Sequence, residues 1–158
     1  MDGILNINKA IGMTSHDVVA QIRRLLKQRR VGHTGTLDPA ASGVLPICIG
    51  QATRVTEYLS ESGKAYEAEI TFGAVTDTYD TEGEVLRHGD TSHLTLDRIQ
   101  EALLHFLGEQ QQMPPRYSAI KIQGKPAYKL ARAGTEVTME ARSIEIHALD
   151  IRGWESPR

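Results

Sequence analysis

The sequence predicts a single mixed α/β unit, and three observations carry that expectation. Its 158 residues match the roughly 100–200 residues of one domain. Segments in which apolar and polar side chains alternate are interspersed with segments carrying an apolar stripe at helical spacing. Turn residues separate them, with no internal repeat, low-complexity tract or flexible linker.

Gly3 to Asn8 alternates as a half-buried strand does, and Gly12 breaks the pattern. Thr14 with Asp17 forms a capping-box pattern ahead of Val18, Val19, Ile22, Leu25 and Leu26, whose spacing lays apolar side chains on one helical face. The opposite face and the helix end carry Arg23, Arg24, Lys27, Arg29 and Arg30, where positive charge also complements the helix dipole. Val31 to Gly43 is polar and rich in Gly and Thr, with Pro39 fixing one dihedral; it is expected to be an ordered loop leading to the apolar run Val44 to Ile49. Gln51 to Leu59 suits a short helix, Tyr66 to Phe72 a strand and Thr76 to Gly83 an acidic turn. Leu96, Ile99, Leu103, Phe106 and Leu107 mark a second amphipathic helix, capped by Thr95 and ended by Pro114 and Pro115. Tyr117 to Ile122 is strand-like, Gln123 to Lys125 a turn, Ala127 to Ala133 a short helix and Ile144 to Ile151 a strand.

Composition narrows the function classes. Hydrophobic residues make up 40% and charged residues 24%, enough to bury one core. Eighteen Lys and Arg stand against 20 acids, which argues against a uniformly basic nucleic-acid binder. The charge is nonetheless segregated: residues 1–64 sum to +3, 65–110 to −8 and 111–158 to +3. A polyanion could dock on surfaces built from the two ends, while the alternative is an ordinary solvated surface. Cys48 is the single cysteine, which excludes an internal disulfide and a cysteine-rich zinc site and fits a reducing compartment. No apolar run reaches the roughly 18 residues of a spanning helix, and the N-terminus lacks a signal-peptide layout, so a cytoplasmic protein without a membrane partner is expected.

His33-Thr34-Gly35-Thr36-Leu37-Asp38-Pro39 is the densest group of polar, conformationally restricted residues. Asp38 could serve as nucleophile or general base on a loop stiffened by Pro39. It could equally close an Asx-type turn by accepting local backbone hydrogen bonds. The Thr34-Gly35-Thr36 run is superficially like the phosphorylated loop of ion-pumping ATPases, but Gly32 occupies the position of the aspartyl nucleophile, which rejects phosphoryl transfer. Asp77, Asp80 and Glu82 before Gly83 do not match calcium-loop spacing and read as turn acids. The six histidines include no i, i+4 pair, so no metal site is expected.

Val31-Gly32-His33-Thr34-Gly35-Thr36-Leu37-Asp38-Pro39, continuing Ala40-Ala41-Ser42-Gly43-Val44-Leu45-Pro46-Ile47-Cys48-Ile49-Gly50 and then Ala52-Thr53-Arg54, closely resembles the signature segment of the TruB family of tRNA pseudouridine synthases. Gly3 to Lys9 with Gly12-Met13-Thr14-Ser15 resembles the family's opening, although Ala10 stands where proline usually follows the lysine. Lys64-Ala65-Tyr66 with Thr76-Asp77-Thr78 and Asp80 resembles its next block, and Pro115 with Tyr117 to Lys121 and Gly124-Lys125 its third.

The resemblance implies a pseudouridine synthase fold, an α+β arrangement with a mixed, largely antiparallel sheet flanked by helices. It implies isomerisation of the tRNA T-loop uridine at position 55 to pseudouridine, without a cofactor, by a monomer. Asp38 would be the catalytic nucleophile or base, and Tyr66 would pack on the uracil and be a candidate to take its C5 proton. His33 and Thr36 would hold the T arm beside Asp38. Arg54, Lys64, Lys121, Lys125, Lys9 and Tyr117 would bind RNA, with Arg23, Arg24, Arg29 and Arg30 as weaker candidates. Residues 114–142 would form an insertion that folds over the RNA. The 158 residues would correspond to the N-terminal portion of the catalytic domain, with its C-terminal segment and the RNA-binding domain absent. A truncated, non-catalytic tRNA-binding remnant is the alternative.

Overall fold

In the computed structural model the chain forms two compact units, residues 1–67 and 68–158. The described residues are 1–115, 121–122, 125–126 and 139–155.

Unit 1 is built on a three-stranded antiparallel sheet in the order β1-β3-β2, with β1 at Gly3–Lys9, β2 at Val31–His33 and β3 at Gly43–Ile49. The central strand is the most apolar, and Leu45, Ile47, Cys48 and Ile49 are buried. Helix α1, Ser15–Leu26, covers it through Val18 and Val19, and Val31 closes the same core. This burial of aliphatic side chains stabilises the unit at about 1.5–3 kcal/mol for each fully buried large side chain. The capping box is present: Thr14 Oγ1 accepts from the Asp17 N–H at 3.1 Å, and the Asp17 carboxylate accepts from the Thr14 N–H at 2.9 Å. The Thr14 hydroxyl also donates to the Asp17 carboxylate at 2.6 Å, and this bond, followed by that from the Thr14 N–H, holds the Asp17 carboxyl below its ordinary pKa.

The segment Val31 to Gly43 is not loop throughout, because its first three residues pair with Ile47–Ile49 as β2. The ladder stops at Pro46. Thr34 donates its N–H to the Pro46 carbonyl at 3.2 Å, and proline has no N–H to return. The chain is therefore released from the sheet at Thr34, immediately before the loop that carries Asp38. After β3, Gly50–Val55 forms a 3₁₀ turn and Thr56–Ser60 helix α2, in place of the single helix expected over Gln51 to Leu59.

Unit 2 contains the hairpin of β4 (Ala74–Thr76) and β5 (Val85–His88), helix α3 (Leu96–Leu104), and the antiparallel pair of β6 (Gly108–Gln112) with β9 (Arg142–Ile146). Between them in the chain, β7 (Lys121–Ile122) pairs with β8 (Lys125–Pro126). The acidic turn joins β4 to β5. Asp80 Oδ1 accepts from Thr78 Oγ1 at 2.6 Å and from the Glu82 N–H at 2.9 Å, and Asp77 Oδ1 accepts from the Glu84 N–H at 2.9 Å. These carboxylates are thus occupied in shaping the hairpin. Thr95 caps α3 by accepting from the Arg98 N–H.

Three expectations are corrected. Helix α3 ends at Leu104, well before the prolines, and Gly108, at φ +82°, redirects the chain into β6. Tyr66 to Phe72 alternates like a strand, but no strand pairs with it among the described residues and it is irregular and mostly exposed. The last strand lies at Arg142–Ile146 rather than Ile144 to Ile151, set by its register against β6. The expected helix over Ala127 to Ala133 and most of the strand over Tyr117 to Ile122 lie outside the described residues.

Candidate functional site

Asp38 sits on a loop fixed at both flanks. On one side, buried Ser15 at the start of α1 clamps Leu37: its Oγ donates to the Leu37 carbonyl at 3.1 Å and accepts the Leu37 N–H at 2.9 Å. On the other side, Pro39 has a restricted φ, and its carbonyl accepts the Gly12 N–H at 2.8 Å. Gly12 makes that bond from φ +85°, a region L side chains rarely adopt. The Ala41 N–H closes the turn on the Asp38 carbonyl at 3.0 Å.

The Asp38 side chain itself is exposed and accepts no hydrogen bond among the described residues. An Asx-type turn would have engaged that carboxylate, and the turn is made by backbone alone. The loop therefore presents a free carboxylate at a position over-determined by its neighbours, which is the arrangement a preorganised nucleophile or base needs.

His33 ends β2 and is half-buried, with Nδ1 shut away from solvent and without a hydrogen-bond partner among the described residues. Burial pushes its imidazole pKa down, the Gly35 backbone opposes this more weakly, and the neighbouring His16 lowers it further. A neutral imidazole beside the loop can donate or accept a hydrogen bond from a polar ligand. Thr36 is exposed on the same loop.

Lys64 is brought to this loop from the other end of unit 1. Its Cε lies 3.9 Å from where a Cβ on Gly35 would stand, and its ammonium donates to the Ser60 and Ser62 carbonyls at 2.7 and 3.1 Å. Tyr66 follows two residues later with 70% of its surface exposed. Arg54 is exposed in the 3₁₀ turn. Lys121 and Lys125 lie on β7 and β8 of unit 2, and Tyr117 lies outside the described residues.

Lys9 departs from its expected place among the RNA-binding cations. It is 1% exposed, and its ammonium donates to the Met13 carbonyl at 2.8 Å and the Ala10 carbonyl at 3.1 Å. Here it is a structural cation that braces the turn carrying Gly12. Being the last residue of β1, it points its side chain inward under that turn, which its charge alone did not reveal.

The loop anchors Ser15 and Gly12 were not assigned a role from the sequence. Ser15 does carry a signal: it occupies the same helical face as Val18, Val19 and Ile22, so it is the polar member of an apolar stripe. A hydroxyl placed there is buried and must find a partner.

A protein-family model described as TruB family pseudouridylate synthase (N terminal domain) matches residues 23–158. The chain belongs to the TruB family. Among curated relatives, tRNA pseudouridine synthase B of Clostridium perfringens (strain ATCC 13124) is 55% identical over 150 residues, which cover 95% of this chain and 51% of that protein. Its counterpart in Symbiobacterium thermophilum is 54% identical over 151 residues, covering 96% and 50%. The chain thus spans about half the length of these relatives. Among solved structures, one chain of the crystal structure of a Cbf5-Nop10-Gar1 complex matches with a TM-score of 0.57 at 29% identity, covering 96% of this chain and 36% of that one. The mixed helices and antiparallel sheets expected of a pseudouridine synthase fold are those found. Among the described residues, no helix is long and apolar enough to cross a membrane, and no three His, Cys, Asp or Glu side chains group as metal ligands.

Proposed function

We propose that this TruB-family chain contributes the catalytic carboxylate of a tRNA pseudouridine synthase acting on the T-loop uridine at position 55. The observation that carries the proposal is the Asp38 carboxylate, exposed and unengaged on a loop clamped at Leu37 and Pro39.

The reaction breaks the bond between N1 of uracil and the ribose, turns the base within the site, and joins C5 to the same sugar carbon. The proton lost from C5 is matched by the one gained at N1, so no atom is lost and no redox partner is needed. Asp38 acts as nucleophile or base. Extruding the nucleotide from its stack costs a few kcal/mol and calls for an aromatic surface to receive the base. On this reading the exposed ring of Tyr66 supplies that surface and is the candidate to take the C5 proton. His33 and Thr36 hold the loop nucleotides, and Arg54 and Lys64 attract phosphates, the interaction on which affinity for RNA chiefly rests. Lys121, Lys125 and Tyr117 belong, on this reading, to an RNA-clamping insertion over residues 114–142.

The test is to incubate the protein with an unmodified tRNA transcript and map pseudouridine. The proposal expects it at position 55 and none in a transcript carrying cytidine there. Binding of the tRNA with no turnover would instead favour a non-catalytic RNA-binding role.

A further inference from the structure

The end of α1 carries a cationic surface that the proposed chemistry does not use. Ala20, Arg23, Arg24, Lys27, Gln28 and Arg29 line an open concavity there. Residues 23–30 include five cations, and no acid occurs between Asp17 and Asp38. None of these cations forms an ion pair among the described residues. The helix C-terminus supplies the equivalent of roughly half a negative charge, which cannot balance five positive ones.

The patch is also held in place by neutral partners. Arg23 donates to the Val31 carbonyl at 2.8 Å, and Arg30 donates to Thr53 Oγ1 at 2.7 Å and to Gln51 Oε1 at 3.3 Å. Lys27 adopts φ +50°, and the Gln28 N–H bonds back to the Arg23 carbonyl at 3.1 Å, so the chain turns sharply and Arg29 joins Arg23, Arg24 and Lys27 around the concavity. These contacts order the side chains and backbone without neutralising their charge.

We propose that this surface docks the phosphate backbone of RNA outside the reacting nucleotide. The proposal rests on the RNA-directed reading of the protein and extends it to a second contact. Guanidinium groups in a fixed fork suit phosphate oxygens. A protein partner would call for aromatic or large apolar anchors, and none lines the concavity. Strand β2 begins beside the patch at Val31 and ends at His33, at the start of the Asp38 loop. Its three residues span on the order of 10 Å at about 3.3 Å each. An A-form RNA stem rises by roughly 3 Å per base pair, so a few base pairs of stem reach from one end of β2 to the other.

The experiment measures the affinity of the chain for an unmodified tRNA transcript as a function of salt, comparing the wild type with the triple variant Arg24→Gln, Lys27→Asn, Arg29→Gln. Asparagine tolerates the positive φ at position 27. Circular dichroism checks that the helix is kept, and a charge-retaining variant, Arg24→Lys with Arg29→Lys, controls for folding. The triple variant is expected to bind about tenfold or more weakly near 100 mM salt, with the slope of log K against log salt shallower by about 3, from roughly 0.9 per lost phosphate contact on a duplex. The charge-retaining variant is expected to stay within about threefold of the wild type, because Lys still binds phosphate as a point charge. An unchanged affinity and slope in the triple variant would overturn the proposal and leave the patch to an anionic protein or to solvent. Failure of the wild type to bind tRNA would overturn it as well. Binding that depends on the patch, without pseudouridine formation, would overturn the catalytic reading alone.

Discussion

Ser15 shows how much of the Asp38 loop can hang on one hydroxyl. It satisfies both the N–H and the carbonyl of Leu37, the residue before Asp38. Ser15→Ala leaves that buried pair without its partner, at a cost of about 1–3 kcal/mol. On the proposed function it should lower kcat more than it raises KM, because a loosened Asp38 carboxylate would be misplaced while the cations proposed to bind RNA are untouched. Denaturant melts together with steady-state kinetics check both halves. Ser15 carries a signal as a polar member of an apolar helical stripe, but its role was not read from the sequence, since its partner Leu37 lies 22 residues away and only the fold brings them together. Lys9 was misread for the complementary reason: a lysine looks like a surface cation in sequence, and only the register of β1 turns it inward onto two carbonyls. His33 gives a prediction in pH. Burial holds its imidazole below the ordinary value of about 6.5, so on acidification the unfolded chain takes up the proton first. The contribution to stability is present above about 6.5 and is lost as the pH falls through the folded-state pKa. The stability difference between the wild type and His33→Gln should shift against the wild type over that range, which denaturant titrations at several pH values measure.

At the scale of elements, helix α1 was readable because its apolar spacing and the Thr14–Asp17 cap agree with the burial of Val18 and Val19, and strand β3 because its apolar run is buried; β1 was readable from its alternation, although Ile4 and Leu5 are exposed and Lys9 is its buried residue. Strand β2 was not, since its three residues, Val31 to His33, are too few to show a period and include a glycine. Tyr66 to Phe72 erred in the other direction: alternation prepares a strand, but a ladder needs a neighbour, and none pairs there among the described residues. Gly50 marks where β3 must turn into the 3₁₀ segment. It sits at φ +60°, donates to the Arg30 carbonyl at 2.8 Å, and a Cβ there would meet the Met1 carbonyl at 2.7 Å. Gly50→Ala should therefore destabilise unit 1 by about 1–3 kcal/mol, seen as a Tm lowered by several degrees. An unchanged melt would mean that the chain ends relax without cost.

For the molecule as a whole, the near-neutral balance of the sequence conceals a division of labour. The acidic middle third forms the β4–β5 hairpin and α3, where the Asp77 and Asp80 side chains accept hydrogen bonds within their own turn. The basic first third carries the Asp38 loop, Lys64 and the end of α1 within unit 1. The signature segment made the candidate site legible in outline, because its loop residues are contiguous in sequence; the anchors from Gly12 and Ser15 come from another part of the chain and were visible only after folding. The central claim is that Asp38 does chemistry and carries no part of the fold. It is tested most directly by measuring pseudouridine formation and thermal stability side by side for the wild type and Asp38→Asn. The account predicts that turnover is lost while stability changes by no more than about 0.5 kcal/mol, as for other exposed, unbonded side chains. Turnover in Asp38→Asn equal to that of the wild type would contradict it.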